Sequence, residues 1–346
     1  MSDENQMRSR SNSIASSNGS QMDDEQMPSR PSSPASSIGS YMDDDLSNSD
    51  QDELLSNDII AQVSSNMFLT PWQDEQIIRS EDNVMSYCCL GISPSQFRRL
   101  MPSKRNAKSD SPHRAVLYAQ MAMQHSLEQT TLFDSNNNPM SLIVLIVDTI
   151  QMYNFAVFNN KQLKTGTALK YALEEGDRLI DVFTRARSRL SSEFAERVTI
   201  VRWKDICDKQ YEEYVGHLKQ HAATNEQFAK LIDDVVQVFI NVRKPNANFT
   251  EQQRSTLREY IFHEMPALVR GITYNGQHCS TIFHPIVLSD DAKNDSQRDV
   301  MFHLLSYVRH SYELRNHLNI IEQTAICKVF DIAMPIYKPT RSSDSL

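Results

Sequence analysis

Leu142-Ile143-Val144-Leu145-Ile146-Val147-Asp148 is the stretch of sequence that decides the fold. An apolar run of this length, with no polar alternation, is typical of a strand buried on both faces of a parallel sheet. It is far too short to span a bilayer. We therefore expect helices on both sides of this strand and a parallel sheet around it.

The rest of the chain alternates apolar strands with amphipathic helices from about residue 59. Thr250 and Gln253 form a capping box for one of these helices, which Pro266 should end or kink. This alternation predicts an α/β fold with a doubly wound parallel sheet flanked by helices. Four further strands are predicted at 84–92, 198–203, 281–288 and 326–332, and helices at 113–127, 162–190, 205–222, 224–242 and 296–315.

The net charge of −9 over 346 residues belongs entirely to the first 58. The remaining residues are neutral overall, which excludes a bulk polyanion binder of the histone kind and leaves only a local basic patch for any nucleic acid. The chain begins without a signal-peptide hydrophobic region, so we expect a soluble cytoplasmic protein without a membrane partner. Five cysteines without metal-ligand spacing, and eight glycines without a phosphate loop, predict no metal and no nucleotide cofactor.

The acidic segment 1–58 contains an internal repeat. Residues 7–25 and 27–45 are identical at twelve of 19 aligned positions. Its Ser, Asp and Asn content and scarcity of large apolar residues predict a disordered tail. It is either an inert extension or a regulatory arm phosphorylated at its serines. We expect one catalytic domain at 59–338 and a flexible C-terminal tail at 339–346.

Ser93 follows the first predicted long strand in Cys89-Leu90-Gly91-Ile92-Ser93-Pro94. Ligands of open α/β sheets bind outside the carboxyl ends of strands, so this hydroxyl would face a ligand-binding crevice. It could equally be an ordinary turn serine. The hydrolase elbow Gly-x-Ser-x-Gly does not fit, because Ser95 stands where glycine is needed.

Tyr260 and Glu264 are four residues apart on a predicted helix and therefore share a face. Such a pair can position an ammonium group and relay protons. The alternative is a solvated glutamate beside a half-buried tyrosine.

The helix predicted at 162–190 carries basic side chains within a stripe of about 120°. The opposite arc should pack on the sheet, and it holds Leu169, Leu173, Leu179, Ile180, Phe183 and Leu190. The stripe is either a track for a nucleic-acid backbone or an ordinary mixed-charge face, since Glu174 and Asp181 interrupt it. Its members are Lys164, Lys170, Arg178, Arg185 and Arg189.

In their order and spacing, these features resemble those of the tRNA-dependent cyclodipeptide synthases. The chain is similar to a eukaryotic-type member of this family that carries an acidic N-terminal extension. The resemblance covers residues 80 to 338 and also includes Val147-Asp148-Thr149, Phe194-Ala-Glu-Arg-Val-Thr-Ile-Val-Arg and the strand containing His284-Pro285. It implies a Rossmann-like domain similar to the catalytic domain of class I aminoacyl-tRNA synthetases, without their ATP-binding motifs. No cofactor is implied, because the aminoacyl ester of charged tRNA is already activated.

By this resemblance, Ser93 accepts the first aminoacyl group from one aminoacyl-tRNA. A second aminoacyl-tRNA then transfers its aminoacyl group to the amine of this acyl-enzyme, giving a dipeptidyl-enzyme that closes to a diketopiperazine. Glu264 would hold the ammonium and take its proton, and Tyr260 would relay a proton during ring closure. The basic stripe would hold the first tRNA, and the protein is expected to be a monomer.

The resemblance also implies substrate contacts from Gly91, and from Leu145, Ala267 and Ile282 in the side-chain pocket. Two positions depart from the family pattern. Gln96 stands where one branch of the family has asparagine, and His284 stands where the other branch has the tyrosine of its Tyr-Pro motif. Both are expected to contact substrate.

Two other functions are compatible with the same residues. One is a catalytically idle tRNA-binding or regulatory protein on this fold, which the joint presence of Ser93, Tyr260 and Glu264 disfavours. The other is an aminoacyl-tRNA hydrolase, or a transferase to another amine, in which a different nucleophile intercepts the acyl-enzyme.

Overall fold

The structure is a computed structural model that describes residues 69–71, 87–95, 97, 112–130, 140–159, 163–287, 291–320 and 327–334. All of them belong to the unit Ser49–Leu346. The predicted tails at 1–58 and 339–346, the predicted domain start at 59, and Gln96 lie outside the described residues.

The strands of the described chain are β1 (Leu69–Pro71), β2 (Tyr87–Ile92), β3 (Ser141–Ile146), β4 (Val198–Arg202), β7 (Thr281–Val287), β8 (Lys328–Met334) and a separate hairpin of β5 (Ile272–Tyr274) and β6 (Gln277–Cys279). Apart from the hairpin, they form one mixed sheet in the order β1-β8-β7-β2-β3-β4. Strands β8, β7, β2, β3 and β4 run parallel, and β1 is antiparallel to β8 at one edge. Numbered along the chain, the five parallel strands have the spatial order 3-2-1-4-5 of a doubly wound sheet.

Helices cover both faces of this sheet, as the apolar run at β3 predicts. Five of the six residues of β3 are buried, with Leu142 and Val144 in the cluster on one face and Ile143 and Leu145 in the cluster on the other. The α/β prediction is therefore confirmed. The helices are α1 (Pro112–Thr130), α2 (Gln151–Phe158), α3 (Thr165–Arg187), α4 (Ser192–Glu196), α5 (Lys209–Thr224), α6 (Glu226–Arg243), α7 (Glu251–Arg270), α8 (Asp291–His310) and α9 (Tyr312–His317).

The two faces carry different apolar clusters. On one face, α1 and α3 pack over Leu90, Ile92 and their neighbours. On the other, α5, α6, α7 and α8 pack over Cys89, Leu145 and Ile282. We call this second face the α7 face. No helix in the described part of the chain is long and apolar enough to cross a membrane.

Helix α7 bears on two sequence predictions, the capping box at its start and the end or kink at Pro266. The capping box of Thr250 and Gln253 is present as predicted, with hydrogen bonds in both directions. Pro266, however, does not end the helix, which continues to Arg270. A proline inside a helix costs about 3 kcal/mol, but the turn after it buries Ala267, Leu268 and Val269 in the core. Burial of large apolar side chains at about 1.5–3 kcal/mol each offsets that cost.

Asp148 ties the carboxyl end of β3 to β4 and α3. Its side chain is fully buried and its Oδ2 accepts a hydrogen bond from Arg202 Nε at 2.6 Å. Arg202 also donates to Asp177 Oδ1 at 2.8 Å and to the Leu173 carbonyl at 3.1 Å. Helix α3 approaches this pair through Gly176, where a β-carbon would lie only 2.5 Å from Asp148 Oδ2. The glycine therefore sets the close contact between the helix and the end of the strand.

Candidate active site

Ser93 lies at the point where the order of the parallel strands reverses. It follows β2, whose neighbours are β3 on one side and β7 on the other, and this is where doubly wound sheets leave a crevice for ligands. The backbone N–H of Phe97 donates to the Ser93 carbonyl at 2.9 Å, so a helical turn begins here. Ser93 is its N-cap and Pro94 its first residue, which is the position that proline favours. The predicted turn is thus the start of a helical turn.

A chain of hydrogen bonds connects Ser93 with the predicted pair on α7. Ser93 Oγ and Ser95 Oγ are 3.3 Å apart, and Ser95 Oγ donates to Gln151 Oε1 at 3.2 Å. Gln151 Nε2 donates to the Tyr260 hydroxyl at 3.4 Å, and that hydroxyl donates to Glu264 Oε1 at 2.8 Å. Ser93, Tyr260 and Glu264, which are far apart in sequence, therefore belong to one polar network.

The network fixes proton positions as well as side chains. A hydroxyl has one proton, and that of Ser95 goes to Gln151, so Ser93 is the donor in the serine pair. Gln151 is fully buried and also accepts from Asn154 Nδ2 at 3.0 Å. Its amide orients both neighbours but has no acidic or basic group of its own. The network therefore positions Ser93 and Tyr260.

Glu264 sits in an environment that opposes its charge. Burial raises its pKa above the ordinary value, while the Tyr260 hydroxyl, His284 and Arg243 act in the opposite direction. Burial also raises the pKa of Tyr260 well above its usual range, with the Glu264 carboxylate adding to the effect. A tyrosine held neutral in this way remains a hydrogen-bond donor to the carboxylate. The pair can thus bind an ammonium group, which would supply the missing counter-charge.

Aromatic rings support this pair from α6. The ring of Phe239 stacks on Tyr260 with centroids 5.6 Å apart, and the Arg243 guanidinium lies 3.9 Å from the centroid of the Phe239 ring. Arg243 thereby places a fixed positive charge near Glu264. Cation–π contact of this kind holds a guanidinium in an apolar setting.

His284 approaches the same site from β7. Its Nδ1 lies 3.0 Å from Asp331 Oδ1, and the two residues are direct partners in the β7–β8 ladder. The histidine side chain is 37% exposed, whereas that of Asp331 is 4% exposed. His284 is thus an imidazole held by a buried carboxylate.

The predicted pocket residues lie around the same strands. Gly91 is the ladder partner of Leu145 on β3, and Ile282 on β7 is the partner of Cys89. A β-carbon at Gly91 would lie 3.8 Å from Ile282 Cγ2, an ordinary contact, so packing alone does not demand glycine there. Leu145, Ile282 and Ala267 are buried in the same apolar cluster on the α7 face. Their contact with substrate stays a prediction.

The predicted basic stripe is exposed on α3, but only part of it is helical. Lys164 has extended backbone just before the helix, and Arg189 follows its end, so Lys170, Arg178 and Arg185 are the helical members. Each of these three pairs with an acid on the same helix, at distances from 3.9 Å for Lys170–Glu174 to 2.9 Å for Arg185–Asp181. The Lys170–Glu174 and Arg185–Asp181 pairs are exposed on both sides, and such pairs are worth about 0–1 kcal/mol, so a phosphate can replace the acid. Glu175, the partner of Arg178, is buried.

The buried face of α3 is rotated from the predicted one. Its centre is formed by small residues, Ala168, Ala172 and Gly176, while Leu169 and Leu173 are only partly buried. The prediction placed large apolar side chains at the centre of the buried face, whereas the close approach of α3 to the sheet requires small residues there. The basic side chains nevertheless remain on the solvent side.

Sequence reasoning missed two residues that organise this site. Gln151 looks like an ordinary polar residue, although its position just after a buried strand could have marked it. Asp331 interrupts the apolar strand Val329-Phe330-Asp331-Ile332, and a charge inside a buried strand is itself a signal of a partner.

No protein-family model matches the chain, and no curated protein matches it. Among solved structures, a cyclodipeptide synthase from Bacillus thermoamylovorans is 13% identical with a TM-score of 0.47, over 80% of this chain and 99% of that one. A CDPS from Fluoribacter dumoffii is 12% identical with a TM-score of 0.46, over 77% and 96% of the two chains. A cyclodipeptide synthase from Candidatus Glomeribacter gigasporarum, bound to Phe-tRNAPhe, is 15% identical with a TM-score of 0.40, over 75% and 93%. At this level of similarity, what the chain does has to be inferred from its own residues.

Proposed function

We propose that this protein is a tRNA-dependent cyclodipeptide synthase, which joins two aminoacyl groups from charged tRNAs into a diketopiperazine. The observation that carries the proposal is the hydrogen-bonded network from Ser93 through Gln151 to Tyr260 and Glu264. It unites a hydroxyl nucleophile with an ammonium-binding pair at the switch point of the sheet.

In the first stage, Ser93 attacks the ester carbonyl of the first aminoacyl-tRNA. The Ser93 Oγ–carbon bond forms, the bond to the terminal ribose oxygen breaks, and tRNA leaves with the serine proton. One ester replaces another, so the step needs no further source of energy. The N-terminus of the helical turn at Ser93 favours the negative charge that develops on the carbonyl oxygen.

In the second stage, Glu264 holds the ammonium of the bound aminoacyl group. The deprotonated amine of the Ser93-bound aminoacyl group attacks the ester carbonyl of the second aminoacyl-tRNA. A peptide bond forms, the bond to the ribose oxygen breaks, and the second tRNA leaves with a proton, giving a dipeptidyl-enzyme. Its free amine then attacks the Ser93 ester and closes the six-membered ring, which returns the proton to Ser93. Tyr260, held neutral beside Glu264, is the group placed to pass a proton during this closure.

The partners in this reaction are two aminoacyl-tRNAs used one after the other, and Lys164, Lys170, Arg178, Arg185 and Arg189 are the proposed contacts with the acceptor arm of the first. The exposed, weak pairing of Lys170 and Arg185 with acids on α3 supports this role. Because the contacts are with phosphates, activity should fall steeply as salt rises.

The test is to incubate the full chain with sets of charged tRNAs and to search for diketopiperazines by mass spectrometry. The proposal predicts a cyclic product and a radiolabelled aminoacyl group on Ser93 in the first turnover. Free amino acid without cyclic product would establish a hydrolase instead. Binding of tRNA without turnover would establish an idle tRNA-binding protein.

A further inference from the structure

Asn154 on α2 is buried beside the polar network but has no part in the proposed reaction. It is 1% exposed, and its Nδ2 donates to Gln151 Oε1 at 3.0 Å. Its Oδ1 is buried and has no hydrogen-bond partner among the residues that the structure describes. A buried amide oxygen without a partner costs stability. The stability of the fold therefore does not account for an asparagine at this position.

The hydrogen bond from Asn154 reaches the amide at the centre of the polar network. Gln151 is fully buried, and its Oε1 accepts from Ser95 Oγ at 3.2 Å as well as from Asn154. Its Nε2 donates to the Tyr260 hydroxyl at 3.4 Å. The oxygen of Gln151 thus faces two donors, and its nitrogen faces one acceptor. Both ends of this amide are paired in this way only when it lies in the observed orientation.

The orientation of the Gln151 amide also matters to Glu264. The Tyr260 hydroxyl has one proton and donates it to Glu264 Oε1 at 2.8 Å, so its oxygen has to accept from Gln151. With the amide turned over, the Gln151 oxygen would compete with the Glu264 carboxylate for that proton. The carboxylate would then lose a hydrogen bond that favours its charged form. An uncharged Glu264 would supply no counter-charge to an ammonium group.

Asn154 opposes this reversal. If Gln151 alone turned over, its N–H would meet the N–H of Asn154, donor against donor. If both amides turned over, the two N–H bonds of Asn154 would take the position that its oxygen, unpaired within the described chain, occupies. In protein interiors an unpaired N–H is rarer than an unpaired carbonyl oxygen. The observed orientation of the two amides is therefore the favoured one.

We propose that Asn154 is a positioning residue that holds the Gln151 amide with its oxygen toward Ser95 and its nitrogen toward Tyr260. This inference rests on the proposed function and adds a residue to it. In this role Asn154 acts on Gln151 rather than on a substrate. Its effect reaches Glu264 through the hydroxyl of Tyr260.

The other groups that act on the charge of Glu264 come from four elements. They are Tyr260 on α7 itself, His284 on β7, Arg243 on α6 and Tyr211 on α5. Helix α2 has no acidic or basic residue between Gln151 and Phe158. Its influence on Glu264 is therefore exerted through the orientation of its two amides.

The first test is Asn154→Leu, which keeps the shape of the side chain and removes both of its polar atoms. We expect formation of the diketopiperazine from charged tRNAs to slow by about 3–10-fold, the worth of one hydrogen bond. The midpoint of urea unfolding should not fall, because an unpaired oxygen is removed together with the hydrogen bond. A purely structural asparagine would give the opposite result, a lower midpoint and an unchanged rate.

Asn241→Leu on α6 is the matched control. Asn241 is exposed, and its Oδ1 accepts from Gln237 Nε2 at 2.8 Å. The same substitution therefore removes an amide hydrogen bond outside the network. Both the rate of product formation and the midpoint of unfolding should stay as in wild type.

Two further variants show whether the effect passes through Gln151. In a Gln151→Leu background, Asn154→Leu should slow the reaction by less than about twofold more, since the two residues share one interaction. Asn154→Asp carries a carboxyl group that can donate to Gln151 when protonated but only accepts when ionised. Its rate relative to wild type should therefore fall as pH rises from 5.5 to 8.5. Multiplying losses in the double variant, or a wild-type pH profile for Asn154→Asp, would overturn the inference.

A measurement without tRNA separates this inference from the proposed function. In full-length protein labelled with heavy nitrogen in its glutamine side chains, the NH₂ resonance of Gln151 is the one that Gln151→Leu removes. Burial should protect it from exchange with deuterium in the solvent, and Asn154→Leu should speed this exchange at least about tenfold. If exchange responds in this way but no charged tRNA gives a cyclic product, the proposed function is wrong and the role of Asn154 stands. If a cyclic product forms and Asn154→Leu changes neither rate nor exchange, the role of Asn154 is wrong and the function stands.

Discussion

Gly176→Ala should destabilise the protein although alanine is the better helix former. The new β-carbon would lie 2.5 Å from Asp148 Oδ2, 2.7 Å from Asp148 Cβ and 2.9 Å from Arg202 Nη2, about 1 Å inside normal contact. Asp148 is fully buried and cannot turn away without leaving Arg202. Overpacking of this kind costs about 1–3 kcal/mol, and alanine in place of a helix glycine returns about 0.5–1 kcal/mol. We expect a net loss of about 1–2 kcal/mol.

Gly216→Ala on α5 is the matched control, because nothing lies within 4 Å of its β-carbon position. That variant should gain about 0.5–1 kcal/mol. Urea unfolding of the full chain, followed by circular dichroism, measures both free energies of unfolding. Equal stabilisation by the two substitutions would refute the close contact between α3 and Asp148.

Four further predictions concern the site. Ser93→Ala should abolish labelled acyl-enzyme while tRNA affinity stays within about twofold; trapping of aminoacyl groups on the variant would contradict the nucleophile. Gln151→Leu should reduce turnover by about 10-fold or more, because Ser95 and Tyr260 lose their shared partner; an unchanged rate of product formation would dismiss the network. Arg185→Ala with Arg189→Ala should flatten the slope of log affinity against log salt by about two, and an unchanged slope would place tRNA elsewhere. Burial raises the pKa of Glu264 in the folded protein, so the ionised carboxylate lowers the free energy of unfolding at any pH above the pKa that this group has in the unfolded chain. Glu264→Gln should therefore stabilise the protein at pH 7.5 and do so less at pH 4. Urea unfolding at both pH values measures this difference.

The fold could be predicted because β3 and its neighbours depend on local pattern. An uninterrupted apolar run as short as Leu142–Val147 is typical of a strand that is covered on both faces. The alternation of strands and helices then limits the sheet to a doubly wound arrangement. Pro266 shows the limit of this reasoning, because the cost of a proline is local, whereas the burial that offsets it depends on the packed core.

The candidate site could be predicted only where its residues carry recognisable chemistry. Ser93, Tyr260 and Glu264 stand out as a nucleophile and an ammonium-binding pair, and the structure joins them in one network. Gln151 connects them across 56 residues to Ser95 and 109 residues to Tyr260. No local pattern contains such a connection, because it exists only once β2, β3 and α7 have packed together. Because an amide has no reactivity of its own, the residue type of Gln151 does not indicate a role in the site.

The position of Ser93 follows from the period of two along β2. Cys89 belongs to the apolar cluster on the α7 face, and Leu90 and Ile92 belong to the opposite one, so Gly91 points toward α7 as well. A shift of β2 by one residue against β3 and β7 would bury the wrong side chains on both faces. The register that places Leu90 opposite Phe283 also sets Cys89 opposite Ile282 on the α7 face. Core packing that carries no chemistry thus decides that the hydroxyl of Ser93 lies toward Gln151 and Tyr260.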